Sequence, residues 1–220
     1  MESYDKNPTP PSFDVKQIDS LINFMKETEK LKTVYRSVDI STLERKESSA
    51  EHSWHLGIML ILFQKNLPLN LNTEKTLKMV LVHDLVEVYA GDTKLMENLA
   101  VYSDDKVVFD AEKEKIQEEK ERNAADKLFN ILSEDLRAEF RGLWEEFEER
   151  KTLEAKVAKA LDKLHVLFQN NCSNGMDFKN YKCTYLGEKQ LISSYIEEFP
   201  FLQEICKKLL DEAKEKGWLN

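Results

Sequence analysis

The stretch Met79-Val80-Leu81-Val82-His83-Asp84-Leu85-Val86 sets a histidine and an aspartate in the middle of an apolar run. A run of this kind belongs in a core, where two titratable side chains cost free energy unless something pairs with them. The simplest pairing agent is a metal ion, since imidazole and carboxylate together suit hydrolytic ions of the Mn, Co, Fe, Ni or Zn type. Other donors are present. His52 lies upstream, and Asp162 lies downstream in a second apolar stretch, Ala158-Lys159-Ala160-Leu161-Asp162-Lys163-Leu164. Glu87 follows one helical turn after the pair and shares its face. One face thus offers two ligands and an acid beside them, a layout suited to metal-assisted hydrolysis. The competing reading of His83-Asp84 alone is a core histidine bonded to a carbonyl, with Asp84 in a salt bridge.

These residues must be carried by helices. Ser48-Ser49-Ala50-Glu51 has the form of a capping box. It predicts a helix to about residue 65 with His52 in its first turn. Asn72 or Thr73 caps the next predicted helix, which carries His83, Asp84 and Glu87 and stops near Gly91. Upstream, Val15, Ile18, Leu21, Ile22 and Met25 recur at the spacing of an amphipathic helix. Residues 33–46 read as a connecting loop and 93–108 as irregular. Further helices are expected over 110–132, 134–150 and from Thr152 through Asp162 to about 171. A loop over 172–187 and two short helices in the tail complete the chain. The charge run 112–122 reads as a solvated helix face. No strand alternation persists, so the fold class is all-α. The division is a flexible N-terminal arm over 1–13 and one globular domain over 14–220.

Composition narrows the function. The 220 residues carry a formal charge of -9, with 41% hydrophobic and 33% charged residues. That balance argues against a nucleic-acid partner, whose phosphates call for a basic surface. Cys172, Cys183 and Cys206 show no CxxC spacing and read as free thiols. The N-terminus lacks the pattern of a signal peptide, and no apolar run reaches membrane-spanning length. The expected address is cytoplasmic, with no membrane partner.

The segments Arg45-Lys46-Glu47-Ser48-Ser49-Ala50-Glu51-His52-Ser53-Trp54-His55, Leu81-Val82-His83-Asp84-Leu85-Val86-Glu87 and Ala90-Gly91-Asp92 resemble the HD-domain metal-dependent phosphohydrolases. They are similar in particular to the 5′-deoxynucleotidase branch. The ordered set of His52, His83-Asp84 and Asp162 with its flanks carries the resemblance, over roughly residues 14–170. It implies a helical HD-domain bundle in which His52, His83, Asp84 and Asp162 hold one divalent ion (Mn, Co, Fe, Ni, Zn or Mg). It implies that Glu87 orients or deprotonates the attacking water, or protonates the leaving oxygen. Asp92 would contact the sugar and share the acid–base work, and Arg36 would hold the 5′-phosphate. The implied substrate is a small-molecule nucleotide, a nucleoside 5′-monophosphate. A homodimer through helical faces is a further expectation of the resemblance.

One departure stands out. Deoxynucleotidases carry a tryptophan after that arginine, and here Ser37 follows Arg36. Cyclic-nucleotide, nucleoside-triphosphate and guanosine-tetraphosphate hydrolases share the ligand set, and a non-catalytic nucleotide sensor is the reading from another class. Extra phosphates usually call for further basic residues, and the segment around Arg36 offers no dense cluster of them. His55 shares a face with His52 as a supporting partner or a ligand of a second ion. His165, one turn after Asp162, reads as a core residue or as one that orients that aspartate. Trp54, Trp144 and Trp218 read as packing residues. Arg45 and Glu47, just before the first histidine helix, read either as a surface ion pair or as residues with a structural role in fixing the loop.

Overall fold

Helices account for nearly every element of the computed structural model, which describes residues 15–220. The expected arm over 1–13 lies outside the described residues. In chain order the helices are α1 (Val15–Glu29), α2 (Ser49–Phe63), α3 (Thr73–Val82), α4 (Glu87–Ala90), α5 (Ala111–Phe129), α6 (Glu134–Glu149), α7 (Leu153–Cys172), α8 (Met176–Asn180), α9 (Tyr185–Ile196) and α10 (Pro200–Glu215). Two small antiparallel sheets interrupt them. β1 (Tyr35–Asp39) pairs with β2 (Lys46–Ser48), and β3 (Leu99–Tyr102) pairs with β4 (Val107–Phe109).

Side-chain caps set the starts of α2, α3, α5, α7 and α9, whereas Ser133, also expected from the sequence to cap a helix, makes no side-chain cap bond at α6. Ser48 Oγ accepts from Glu51 N, and Glu51 Oε2 accepts from Ser48 N, so the capping box forms. Asn72 caps α3, Asp110 caps α5 and Thr152 caps α7. Each such cap satisfies orphan backbone donors and contributes about 1 kcal/mol. α7 is the central strut. Its Val157, Leu161 and Leu164 are fully buried, and α2, α3, α6, α9 and α10 all pack on it.

Several regions depart from the sequence reading. The expected loop over 33–46 is a short 3₁₀ turn followed by the β1–β2 hairpin, and 93–108 holds the second hairpin. Both sheets are too small for period-2 alternation to emerge. The expected loop over 172–187 contains α8. The apolar stripe of α1 points outward: Val15 is 67% and Met25 63% exposed, and Phe24 is the residue that packs inward, edge-on to Phe140.

The segment bearing His83 differs most usefully. α3 ends at Val82, a 3₁₀ turn spans His83–Val86, and α4 then begins at Glu87. His83 Nδ1 lies 2.9 Å from the Val80 carbonyl at this transition. Residues three apart eclipse one another in a 3₁₀ turn. Asp84 and Glu87 therefore stack on one side more closely than a continuous α-helix would bring them. Gly91 stops α4 at φ 72°, ψ 156°, a conformation that only glycine adopts without strain, and Asp92 turns back toward the site.

Candidate metal centre

Three elements deliver the four donors. His52 comes from the first turn of α2, His83 and Asp84 from the 3₁₀ turn, and Asp162 from the middle of α7. All four side chains are buried. Donor atoms of His52, His83 and Asp162 lie within 4.8 Å of one another. Asp84 sits between the imidazoles, with Oδ1 3.0 Å from His83 Nε2 and Oδ2 3.8 Å from His52 Nε2. Asp162 Oδ1 is 3.2 Å from His52 Nε2.

The imidazole nitrogens test whether the donors fit an ion. Each ring uses its Nδ1 away from the cluster, His83 toward Val80 O and His52 toward His165. Each Nε2 is buried and has no hydrogen-bond partner among the described residues, despite the carboxylates nearby. Buried polar groups are rarely left unpaired. Two orphaned nitrogens converging beside two carboxylates form a donor set that fits a divalent ion of borderline softness.

The charges around the cluster oppose one another. Burial alone would raise the Asp84 pKa, but His83, His52 and Arg36 hold it below the usual carboxylate range. Burial would likewise raise Asp162, yet Lys163 and His52 hold it well below. Burial lowers His52 to about 4, with Arg36 pushing the same way, so that ring is neutral. Glu87 shows the opposite balance: burial and the Asp84 charge raise it well above the usual range, against Arg36. Burial also raises Asp92 against Arg36.

Arg36 on β1 lies against the cluster. Its Nη1 donates to Asp84 Oδ2 at 3.3 Å and stands 3.6 Å from Asp92 Oδ1, while its Nε is 3.6 Å from Glu47 Oε2. Of the two sequence readings of Arg45 and Glu47, the structure excludes the ion pair between them. Arg45 pairs with Glu51, whereas Glu47 is buried and faces Arg36. Burial pushes the Glu47 carboxyl up to about 7, against the pull of Arg36.

Arg36, His83, Asp84, Glu87, Asp92 and Asp162 all line one cavity of about 670 Å³. Sequence reasoning missed several of its other walls. Lys159 and Lys163 reach it from α7, Arg122 from α5, and Arg150 from the end of α6. Lys163 was detectable as a charge next to Asp162 in an apolar stretch, but nothing local marks Arg122 or Arg150. Most of the 112–122 charge run is exposed as expected, while Glu121 lies partly buried against the cavity. Trp144 is buried in the cavity wall, whereas Trp54 is exposed and stacks on His55. Ser37 lines the cavity beside Arg36.

The model of the HD domain family matches residues 28–200. The chain belongs to the HD-domain family. Among curated relatives of this HD protein, 5′-deoxynucleotidase HDDC2 of Xenopus laevis is 32% identical over 151 residues, 68% of this chain and 67% of that one. The 5′-deoxynucleotidase hdd1 of Schizosaccharomyces pombe is 29% identical over 209 residues, 91% of this chain and 87% of that one. A predicted metal-dependent phosphohydrolase from Magnetospirillum magnetotacticum, known as a crystal structure, superposes with a TM-score of 0.79 at 31% identity. That match covers 93% of the HD chain and 98% of its counterpart. An HD-domain phosphohydrolase from Listeria innocua shares the fold at 18% identity and a TM-score of 0.63, with coverage of 90% and 92%.

Proposed function

We propose that the protein is a metal-dependent phosphomonoesterase that hydrolyses nucleoside 5′-monophosphates, deoxynucleotides among them, to nucleoside and phosphate. The observation that carries this reading is the pair of orphaned Nε2 atoms, on His52 and His83, beside Asp84 and Asp162. The 5′-deoxynucleotidase relatives supply the substrate class.

His52, His83, Asp84 and Asp162 hold the ion. When bound, it supplies Lewis-acid activation of water and of a phosphate oxygen. Glu87 stands one 3₁₀ turn from Asp84 with Oε2 unpartnered, placed to take the proton of the attacking water or return one to the leaving O5′. Arg36 holds the phosphate through guanidinium donors and offsets its charge. Asp92 positions the sugar beside it. Water adds to phosphorus, the P–O5′ bond breaks, and the nucleoside leaves with a proton.

Ser37 at the cavity wall presents a small side chain where the deoxynucleotidases carry tryptophan, which supports acceptance of ribonucleotides as well. The three unpaired cysteines support a cytoplasmic, reducing setting. No helix among the described residues is long and apolar enough to cross a membrane. Residues 14–220 form the catalytic domain, with α9 and α10 as its C-terminal extension. Exposed Trp54, Ile61 and Leu62 on α2 support a homodimer.

The deciding experiment is phosphate release from a panel of ribo- and deoxyribonucleoside 5′-monophosphates with Mn²⁺ or Co²⁺, with and without chelator. Release from one or more of them, abolished by chelator, is expected. No release from any member, with ion binding intact, favours a nucleotide sensor instead.

A further inference from the structure

We propose that His165 and His55 are positioning residues, a two-imidazole strut that fixes His52 in the tautomer presenting its Nε2 lone pair to the metal cage. The inference rests on the metal-site reading above. Three of the four histidines in the chain form one string. His52 Nδ1 is 2.9 Å from His165 Nδ1, and His165 Nε2 is 3.0 Å from His55 Nδ1. His52 and His165 are fully buried, and His55 at the far end is half-buried under Trp54 and Phe168.

Proton counting makes the string directional. Each of the two nitrogen–nitrogen contacts in the string needs one donor and one acceptor. A neutral imidazole has one donor and one acceptor nitrogen. Two hydrogen bonds through three such rings allow two alignments. In one, His55 donates to His165 and His165 donates to His52, which leaves the His52 proton on Nε2, facing Asp162. In the other, His52 Nδ1–H donates to His165 Nδ1 and His165 Nε2–H donates to His55 Nδ1. Only the second frees the His52 Nε2 lone pair for an ion. In that alignment the same N–H also faces a carboxyl oxygen, Glu47 Oε1, 3.6 Å from His165 Nε2, which favours it. His83 reaches the equivalent state more simply, because the Val80 carbonyl can only accept. Partners of this kind typically contribute about 10- to 100-fold in metal affinity.

His165 lies in the core, one of the two alternatives read from the sequence; the other, that it orients Asp162, is replaced, since its ring nitrogens face His52 and His55. The test uses the full chain stripped of metal and titrated calorimetrically with Mn²⁺, with the melting temperature of the metal-free protein measured in parallel. His165→Met keeps bulk but removes the acceptor, and is expected to weaken Mn²⁺ binding about 10- to 100-fold. His165→Gln retains an acceptor for His52 Nδ1–H and is expected to restore most of that affinity. Equal losses in both variants, or no loss in either, overturn the strut. If His165→Met does not fold, His55→Phe at the half-buried end decides. Binding about two- to tenfold weaker supports the strut, and unchanged binding overturns it. If the unsubstituted protein binds no Mn²⁺, the metal-site reading falls first and the strut with it, a result distinct from failure of the strut alone.

Discussion

Asp84 and Glu87 are two carboxylates one 3₁₀ turn apart with opposite protonation tendencies. Asp84 is held ionised by His83, His52 and Arg36, while burial and Asp84 itself push Glu87 toward the neutral acid. Environments that separate two acids in this way divide their labour. Asp84→Ala is expected to abolish Mn²⁺ binding and phosphate release together. Glu87→Gln is expected to bind Mn²⁺ like the parent while kcat drops about 10²- to 10⁴-fold. Calorimetry and phosphate release on the same preparations separate the two, and full turnover by Glu87→Gln would exclude it as the proton carrier. Glu47 shows how pairing by proximity in sequence misleads. Arg45 and Glu47, two residues apart, take different partners: Arg45 precedes β2 and pairs with Glu51, whereas Glu47 lies within β2 and faces Arg36 on the paired strand β1.

At the scale of elements, the hairpin β3–β4 is fastened to α9 by a buried contact. Tyr102 Oη donates to Glu188 Oε1 at 2.8 Å and accepts from Thr184 N at 3.2 Å. Glu188 is 5% exposed, and burial raises its pKa against the hydrogen bond from Tyr102. The folded chain therefore holds this proton more tightly than the unfolded chain does. Its contribution to stability is full at low pH and declines as pH rises from the ordinary carboxylate range through the raised pKa. Glu188→Gln keeps an oxygen for Tyr102 and removes the ionisation. Urea midpoints are expected to favour the variant by about 1 kcal/mol at pH 8, with the difference shrinking toward pH 4. A variant less stable than the parent at pH 8 would show that the charge itself is favourable there.

For the whole molecule, the metal site ties α2, the His83–Val86 turn and α7 together, so an ion bound there stabilises the entire core. A ligand at 100 times its Kd adds about 2.7 kcal/mol to folding. For a chain of this size that corresponds to a rise in Tm of about 5 °C or more. Thermal unfolding with chelator and after Mn²⁺ is restored measures it, and identical melting curves would argue against an ion at this centre.

Much of this architecture is legible in the sequence because its signals are local. The capping box at Ser48, the caps at Asn72 and Thr152, and apolar stretches bearing His83, Asp84 and Asp162 each depend on neighbours within a turn or two. They determine an all-α chain and bring its metal-type donors to light. The break from α3 into a 3₁₀ turn, the outward face of α1 and the two hairpins are not legible. They depend on what packs opposite them, and an apolar stripe says nothing about whether a partner covers it. The partners of Arg36, the basic walls of the cavity and the string His52–His165–His55 were decided only by the tertiary structure. Their members lie on different elements, and hydrogen bonds a few ångströms long exist only after α2 and α7 have packed side by side.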